Sequence, residues 1–145
     1  MSTTVTPRTY SHLEWARIQK RLAYHCSGPI SASRALGLVP SSDRTEILGR
    51  LNRTTEARQL TDAGYHLPVH GAVDVSVPLS RAERGGTLDP EELLAIGHII
   101  EASARCAAYL SSLAEGYPCL SAIAKTIIPL PDLGRQILDS FDQRG

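Results

Sequence analysis

The stretch DPEELLAIGHIIEASARCAAYLSSL, residues 89–113, carries the clearest helix signal in the chain. Asp89 is a favoured N-cap residue, Pro90 suits the first helical position, and Glu92 has the spacing that completes a capping box. Apolar residues then recur at intervals of three and four, which places them on one side of a helix. We predict a long helix that is the spine of the fold and buries a narrow seam of Leu93, Ile96, Ile100, Ala104 and Leu110.

The rest of the chain carries similar start and stop signals. Ser11 with Glu14 and Asp43 with Glu46 have capping-box spacing, and Gly64 ends the helix that Asp43 begins. A core built mainly from Leu, Ile and Ala favours helices over a β-sandwich. We predict an all-α fold of about six or seven helices in an irregular orthogonal bundle. The first predicted helix starts at Ser11 and ends at the break over residues 27–29. The others cover residues 30–36, 43–63, 74–84, 120–128 and the segment from Asp132 to Phe141.

Length and charge limit the class of protein. A chain of 145 residues has the size of one domain, and we predict a disordered lead-in over residues 1–10 and a helical domain over 11–145. The 15 basic and 15 acidic side chains balance, so no net charge draws the chain to nucleic acid or to a membrane. We find no signal peptide, expect no membrane span, and interpret the three cysteines as reduced thiols in a cytoplasmic protein.

Two residue pairs could be taken for chemical sites. His66 and His70 have a zinc-ligand spacing, but they lie in a Pro- and Gly-containing loop, and no nearby Cys or carboxylate completes a site. His25 and Cys26 are adjacent, and adjacent helical residues point in different directions. We predict no catalytic, cofactor-binding or metal-binding residue in this chain. One hypothesis that stays open is a hydrolase or thiol enzyme that uses His25, Cys26 or the loop histidines.

Other candidates have structural explanations. Glu91 and Glu92 could form an acid–base pair, but in a first helical turn they complement the helix dipole. Gly85-Gly86 is not followed by the Lys-Ser or Lys-Thr of a phosphate-binding loop, so it indicates a helix end. Cys106 lies in the long helix and is interpreted as a small core residue.

Arg50, Arg53 and Arg58, which recur on the 43–63 helix, could contact phosphates, and basic residues form two further groups of this kind. Arg17, Lys20 and Arg21 cluster on one side of the first helix, and Arg81 and Arg84 precede the glycine pair. Solvated helix faces are the commoner explanation of such groups, because the net charge is zero and no stacking aromatic residues are interleaved. Both interpretations stay open.

Two parts of the sequence resemble a known family. The first consists of LEW at 13–15, LVPSSD at 38–43 and TEARQL at 55–60, and the second is PLSRAERGGTLDPEELL at 78–94. Together they resemble the start of the MutS-two subfamily, the MutS relatives that lack mismatch-reading domains. The similarity covers nearly all of residues 11–145, and the last residues resemble a segment that continues into a coiled-coil arm.

The resemblance implies a large, homodimeric cytosolic protein. Its helical core and lever come first, followed by a clamp, an ATPase domain with a Walker lysine and a small C-terminal nuclease domain. Such proteins are similar in build to DNA mismatch-repair ATPases and are linked to suppression of recombination between diverged DNA or to ribosome rescue. Binding of ATP and magnesium, catalysis, and any DNA or ribosome contact through the clamp would belong to the parent protein beyond Gly145.

We therefore expect a non-catalytic scaffold domain, truncated before the lever and clamp, whose partners are the remaining domains of a MutS-like protein. Such a scaffold should expose apolar surface where further helices dock. The alternative is a stand-alone helical adaptor that binds a protein through the polar second half of the 43–63 helix and the narrow seam after Asp89. Cooperative folding of the isolated chain would favour the adaptor.

Overall fold

The computed structural model describes residues 7–69 and 73–142. In this part the chain forms eight α-helices and no strand, which confirms the all-α prediction. The chain divides into two compact units between Leu51 and Asn52, inside a helix, and no sequence signal marks that boundary. The helices are α1 (Pro7–His12), α2 (Trp15–Tyr24), α3 (Pro29–Leu36), α4 (Arg44–Asp62), α5 (Ser76–Glu83), α6 (Pro90–Ser112), α7 (Pro118–Ala124) and α8 (Pro131–Asp142).

The start of the helical region differs from the prediction. Residues 7–10, placed in the lead-in, belong to α1, and residues 1–6 lie outside the described part. The capping box of Ser11 and Glu14 is wrong, because Glu14 has a left-handed backbone (φ 48°, ψ 38°) that separates α1 from α2. A left-handed conformation is unfavourable for Glu. Tyr10 and Trp15 pack edge to face across the break, with ring centroids 6.4 Å apart, and this contact helps to offset the cost.

In the first unit, side chains of α2 hold the chain that follows α3. The indole nitrogen of Trp15 donates a hydrogen bond to the carbonyl oxygen of Leu38 at 3.0 Å. The amide of Gln19 donates to the carbonyl oxygens of Leu36 and Leu38 at 2.6 and 2.9 Å. These bonds satisfy carbonyls that the end of α3 leaves without helical partners. They fix which side of α2 faces α3.

The helix α4 begins and ends close to the predicted positions, but the capping box of Asp43 and Glu46 is only half formed. The Glu46 carboxylate pairs with Ser41 and Arg50, and the Asp43 backbone amide donates to the Ser41 hydroxyl instead. The Asp43 carboxylate accepts hydrogen bonds from the backbone amides of Thr45 and Glu46 at 2.7 and 3.0 Å, which is N-capping. Gly64 follows the helix at φ +81°, a conformation that glycine adopts without strain.

In the second unit, α6 is the spine, as predicted, and packs against α7 and α8. Asp89 and Glu92 form both hydrogen bonds of the capping box, and Pro90 takes the first helical position. Local sequence therefore determines where α6 begins.

Replacing Asp89 with Ala should lower the free energy of unfolding by about 1 kcal/mol, because the backbone amide of Glu92 loses its side-chain acceptor. Urea unfolding followed by circular dichroism measures the loss. Glu91→Ala is the control, since Glu91 is exposed in the same turn and loses only a dipole interaction. Equal losses in the two variants would contradict the capping account.

The seam of α6 is buried only in part. Ile96 and Leu110 are buried as predicted, whereas Leu93, Ile100 and Ala104 are half-buried. Burial is instead deepest where α6 meets other helices, so the buried set also includes Gly97 and Ala102. The core cluster joins three helices, α4, α6 and α7, through Leu60, Leu110, Leu120 and Ala124.

Prolines begin the last two helices earlier than predicted. The sequence predicted a helix over 120–128 and a last helix capped by Asp132, but α7 starts at Pro118 and α8 at Pro131. Proline fits the first turn of a helix because its missing N–H has no helical acceptor there.

The expectation that no segment has the length and apolar composition of a membrane span is wrong. Among the described residues, α6 is the one helix long and apolar enough to cross a bilayer. It packs against α7 and α8, and core helices of water-soluble proteins meet the same criterion.

Candidate functional site

The imidazole and thiol groups singled out in the sequence do not assemble into a reactive site. The Cys26 thiol donates to the carbonyl oxygen of Leu22 at 3.4 Å, and the His25 ring packs edge to face against Tyr24 at 5.5 Å. Across residues 7–69 and 73–142, no three His, Cys, Asp or Glu side chains converge on a point that could hold a metal. Of the proposed zinc pair, His66 is exposed and His70 lies outside the described residues.

Cys106 is a core residue, as its sequence position indicates. It is half-buried and packs against the core cluster of Leu60, Leu110, Leu120 and Ala124. Burial raises the pKa of its thiol. The thiol is therefore neutral at physiological pH, which disfavours a nucleophilic role.

A carboxylate in the middle of α4 caps α7. Glu56 accepts hydrogen bonds from the backbone amides of Cys119 at 3.0 Å and Leu120 at 2.9 Å. The sequence suggested a partner-binding surface for the second half of α4 and did not predict this contact. The contact spans more than 60 residues of sequence, and no local signal predicts it. Glu56 is half-buried and ties α4 to α7 within the second unit.

Replacing Glu56 with Gln should lower the free energy of unfolding by about 1 kcal/mol, because a neutral amide oxygen replaces a charged acceptor of two backbone amides. Urea denaturation at pH 7 measures the change. Glu115→Gln, at an exposed site, should leave stability nearly unchanged. A loss no larger than that of the control would contradict the capping role.

The same contact should make stability depend on pH. Burial of the Glu56 carboxylate raises its pKa, but hydrogen bonds from the Cys119 thiol and from the amides of Cys119 and Leu120 outweigh this, so the net pKa lies below its usual range. A lowered carboxyl pKa contributes stability above the unfolded-state value, near 4.3, that is lost as pH falls through the folded-state value. The difference between wild type and Glu56→Gln should therefore shrink below about pH 4. A difference that is constant from pH 7 to pH 3 would contradict this account.

The second basic group contacts its own surroundings. Arg81 pairs with Glu92, which also completes the capping box, so the structural interpretation of Glu92 is confirmed. Glu91 is exposed in the first turn of α6. The guanidinium of Arg84 donates to the carbonyl oxygen of Ser80 at 3.0 Å. Phosphate contact by Arg81 and Arg84 stays a prediction.

The first basic group lies together on α2. Arg17, Lys20 and Arg21 are all exposed, and their spacing places them on one face of the helix. Arg17 forms an ion pair with Glu14 at 3.0 Å, and both side chains are well exposed. Exposed pairs of this kind contribute little stability, so the Arg17 guanidinium can exchange partners at low cost.

The first unit leaves much of its apolar surface in contact with water. In its described part, Ala35 is the one buried hydrophobic residue. The sequence predicted exposed apolar surface at docking positions, and side chains of this type occur along the unit. The exposed large hydrophobic residues are Leu13, Ile18, Leu22, Tyr24, Ile30, Leu36, Val39, Ile47, Leu48 and Leu51.

Curated proteins match nearly the whole chain. The endonuclease MutS2 of Geobacillus kaustophilus (strain HTA426) is 32% identical over 142 residues, which are 96% of this chain and 18% of that protein. The endonuclease MutS2 of Symbiobacterium thermophilum is 32% identical over 138 residues, or 95% of this chain and 17% of that protein. The endonuclease MutS2 of Anaeromyxobacter sp. (strain Fw109-5) is 32% identical over 97% of this chain and covers 18% of that protein.

No family model and no solved structure matches the chain. The chain spans less than a fifth of the length of the curated relatives that it matches. These relatives share one name, and the similarity runs through both units and the capped start of α6. Over nearly its whole length, the chain resembles the N-terminal region of the MutS2 proteins.

Proposed function

We propose that residues 11–145 are a non-catalytic helical scaffold domain of a MutS-like protein. The observation that carries this proposal is the exposed apolar surface of the first unit, where Ala35 alone among the described hydrophobic residues is buried. Soluble domains seldom leave so many large apolar side chains in water unless another surface covers them. The similarity to a segment of much longer proteins supports the same conclusion.

The second unit would supply most of the stability of the scaffold. There, the core around Leu60 and the Glu56 cap on α7 hold α4 against the helices that follow. The first half of α4 belongs to the first unit, so α4 is shared by both units.

The parent protein would carry the activity. The relatives are named endonucleases, and we propose a cytoplasmic, homodimeric ATPase and endonuclease that suppresses recombination, repairs DNA or rescues ribosomes. ATP and magnesium would bind in the ATPase domain of the parent. The partners of this segment would then be the parent's other domains.

Hydrophobic dye binding tests the scaffold proposal on the isolated chain. The wild-type chain should bind the dye, and replacing Leu22, Leu48 and Leu51 with Gln should reduce the fluorescence at least twofold, because these exposed leucines supply apolar surface. Replacing Arg58, Arg105 and Arg135 with Gln, which are exposed but not apolar, is the control and should leave the fluorescence nearly unchanged.

A monomeric chain that unfolds cooperatively and binds no dye would contradict the scaffold proposal. That result would favour the stand-alone adaptor, because an adaptor must be a finished, soluble fold before its partner arrives. A cooperative transition alone does not separate the two, so dye binding and oligomeric state are measured on the same sample.

A further inference from the structure

Charge is divided unequally along a chain that is neutral as a whole. Residues 1–42 contain five Lys or Arg residues and one Glu, for a net charge of +4. Residues 43–145 contain ten Lys or Arg residues and fourteen Asp or Glu residues, for a net charge of −4. The zero total therefore conceals a basic segment that covers α1, α2 and α3. The neutral total charge is evidence against anion binding by the chain as a whole. The net positive charge of residues 1–42 favours anion binding by this segment.

The basic side chains of α2 share a face with an aromatic ring. Lys20 and Arg21 each lie three or four residues from both Arg17 and Tyr24, so the four side chains line one side of the helix. Tyr24 is 86% exposed, more than any other large hydrophobic side chain that the structure describes. The basic residues were identified from the sequence, but Tyr24 was not. Its spacing of three and four residues from Arg21 and Lys20 indicates the same helix face.

The opposite side of α2 is fixed in place. Trp15 and Gln19 donate hydrogen bonds to the carbonyl oxygens of Leu36 and Leu38, and α2 packs against α3. On a helix with 3.6 residues per turn, Trp15 and Gln19 lie well away from Lys20 and Tyr24. These contacts keep α2 from rotating about its axis, so the basic face stays exposed. The Tyr24 ring touches only an exposed neighbour, His25, among the ring contacts of the described residues.

We propose that this face, formed by Arg17, Lys20, Arg21 and Tyr24, binds single-stranded nucleic acid. The three cations contact successive phosphates, and an unpaired base stacks on the Tyr24 ring. An incoming phosphate displaces Glu14 from Arg17, and that exposed ion pair offers little resistance. The proposal goes beyond the scaffold function and does not depend on it, because it concerns charged residues that lie off the apolar surface.

Fluorescence anisotropy tests the proposal with the 145-residue chain and a labelled 20-nucleotide oligothymidylate at 50 and 200 mM salt. Replacing Arg17, Lys20 and Arg21 with Gln should weaken binding at least tenfold at the lower salt. The slope of log affinity against log salt should fall by about 2, because each phosphate contact on a single strand contributes about 0.7. Tyr24→Ala should weaken binding several-fold, whereas Tyr24→Phe should retain it.

The matched control replaces three exposed arginines of the second unit, Arg58, Arg105 and Arg135, with Gln. This variant has the same change in net charge and should bind within twofold of wild type. Oligouridylate should bind like oligothymidylate, since phosphates and base faces are common to both, and a duplex of equal length should bind more weakly.

Three results would overturn the proposal. Equal weakening by both triple variants would mean non-specific charge attraction. Polyglutamate that binds as tightly as oligothymidylate would identify an acidic protein surface as the partner instead. A duplex that binds as tightly as the single strand, with no effect of Tyr24→Ala, would exclude base stacking. Circular dichroism of each variant confirms that α-helix content is unchanged before binding is compared.

Discussion

Replacing Leu60 with Ala should lower the free energy of unfolding by about 2–5 kcal/mol, the largest loss expected from any single substitution in this chain. Leu60 is 2% exposed and is the most deeply buried large side chain in the described residues. It packs with Leu110, Leu120 and Ala124, so the substitution opens a cavity among three helices. Urea unfolding followed by circular dichroism at 222 nm measures the loss.

Leu51→Ala is the matched control, because Leu51 lies on the same helix, α4, and is 56% exposed. The chemical change is identical, but little apolar surface leaves water there on folding, so the loss should stay below about 1 kcal/mol. Similar losses at the two positions would mean that the core does not lie where α4 meets α6 and α7.

Replacing Gly97 with Leu should separate α6 from α8 and lower stability by about 1–3 kcal/mol or more. A β-carbon at Gly97 would lie 2.9 Å from a methyl carbon of Leu138 and 3.1 Å from Ile137. The contact is reciprocal, since a β-carbon at Gly134 on α8 would lie 2.9 Å from Ile100. The two helices therefore pack through glycines that leave no room for a larger side chain.

Thermal unfolding compares Gly97→Leu with Gly116→Leu. Gly116 has no atom closer than 4.0 Å to an added β-carbon, so the same substitution should be tolerated there. Gly97→Ala should be milder than Gly97→Leu, because the nearest atoms are the ends of movable side chains and Ala favours the helix. An unchanged melting temperature for Gly97→Leu would contradict the close packing of α6 on α8.

The predictable parts of this fold are those whose cause is local. Asp89, Pro90 and Glu92 fix the start of α6 within four residues of sequence, and the structure has the predicted hydrogen bonds. The Asp43 carboxylate likewise fixes the start of α4 by accepting hydrogen bonds from the amides of Thr45 and Glu46. Capping depends on neighbouring amides, so a short sequence contains all the information that is needed.

The parts that could not be predicted have distant causes. The break at Glu14 is accompanied by the hydrogen bond from the Trp15 indole to the carbonyl oxygen of Leu38, 23 residues away. The early start of α7 is accompanied by a cap from Glu56, more than 60 residues away. Partner helices also decide which seam residues are buried, and helical spacing alone does not identify those partners.

The candidate surfaces were predicted to different extents. Arg17, Lys20 and Arg21 were identified from spacing, because exposed charges on one helix follow its period. Arg81 and Arg84 belong to the other compact unit, and this division of the chain could not be predicted from the sequence. The exposed apolar surface was expected from the family resemblance, but its location along α2 and the first half of α4 was not.

The central claim is that this segment serves as a scaffold within a larger MutS-like protein. An antibody raised against residues 73–142 would report the mass of the native gene product in its own cells by immunoblotting. We expect a species about five times heavier than 15.7 kDa, since the chain matches 18% of its relative's length. A single species near 15.7 kDa would contradict the scaffold account and favour a stand-alone adaptor.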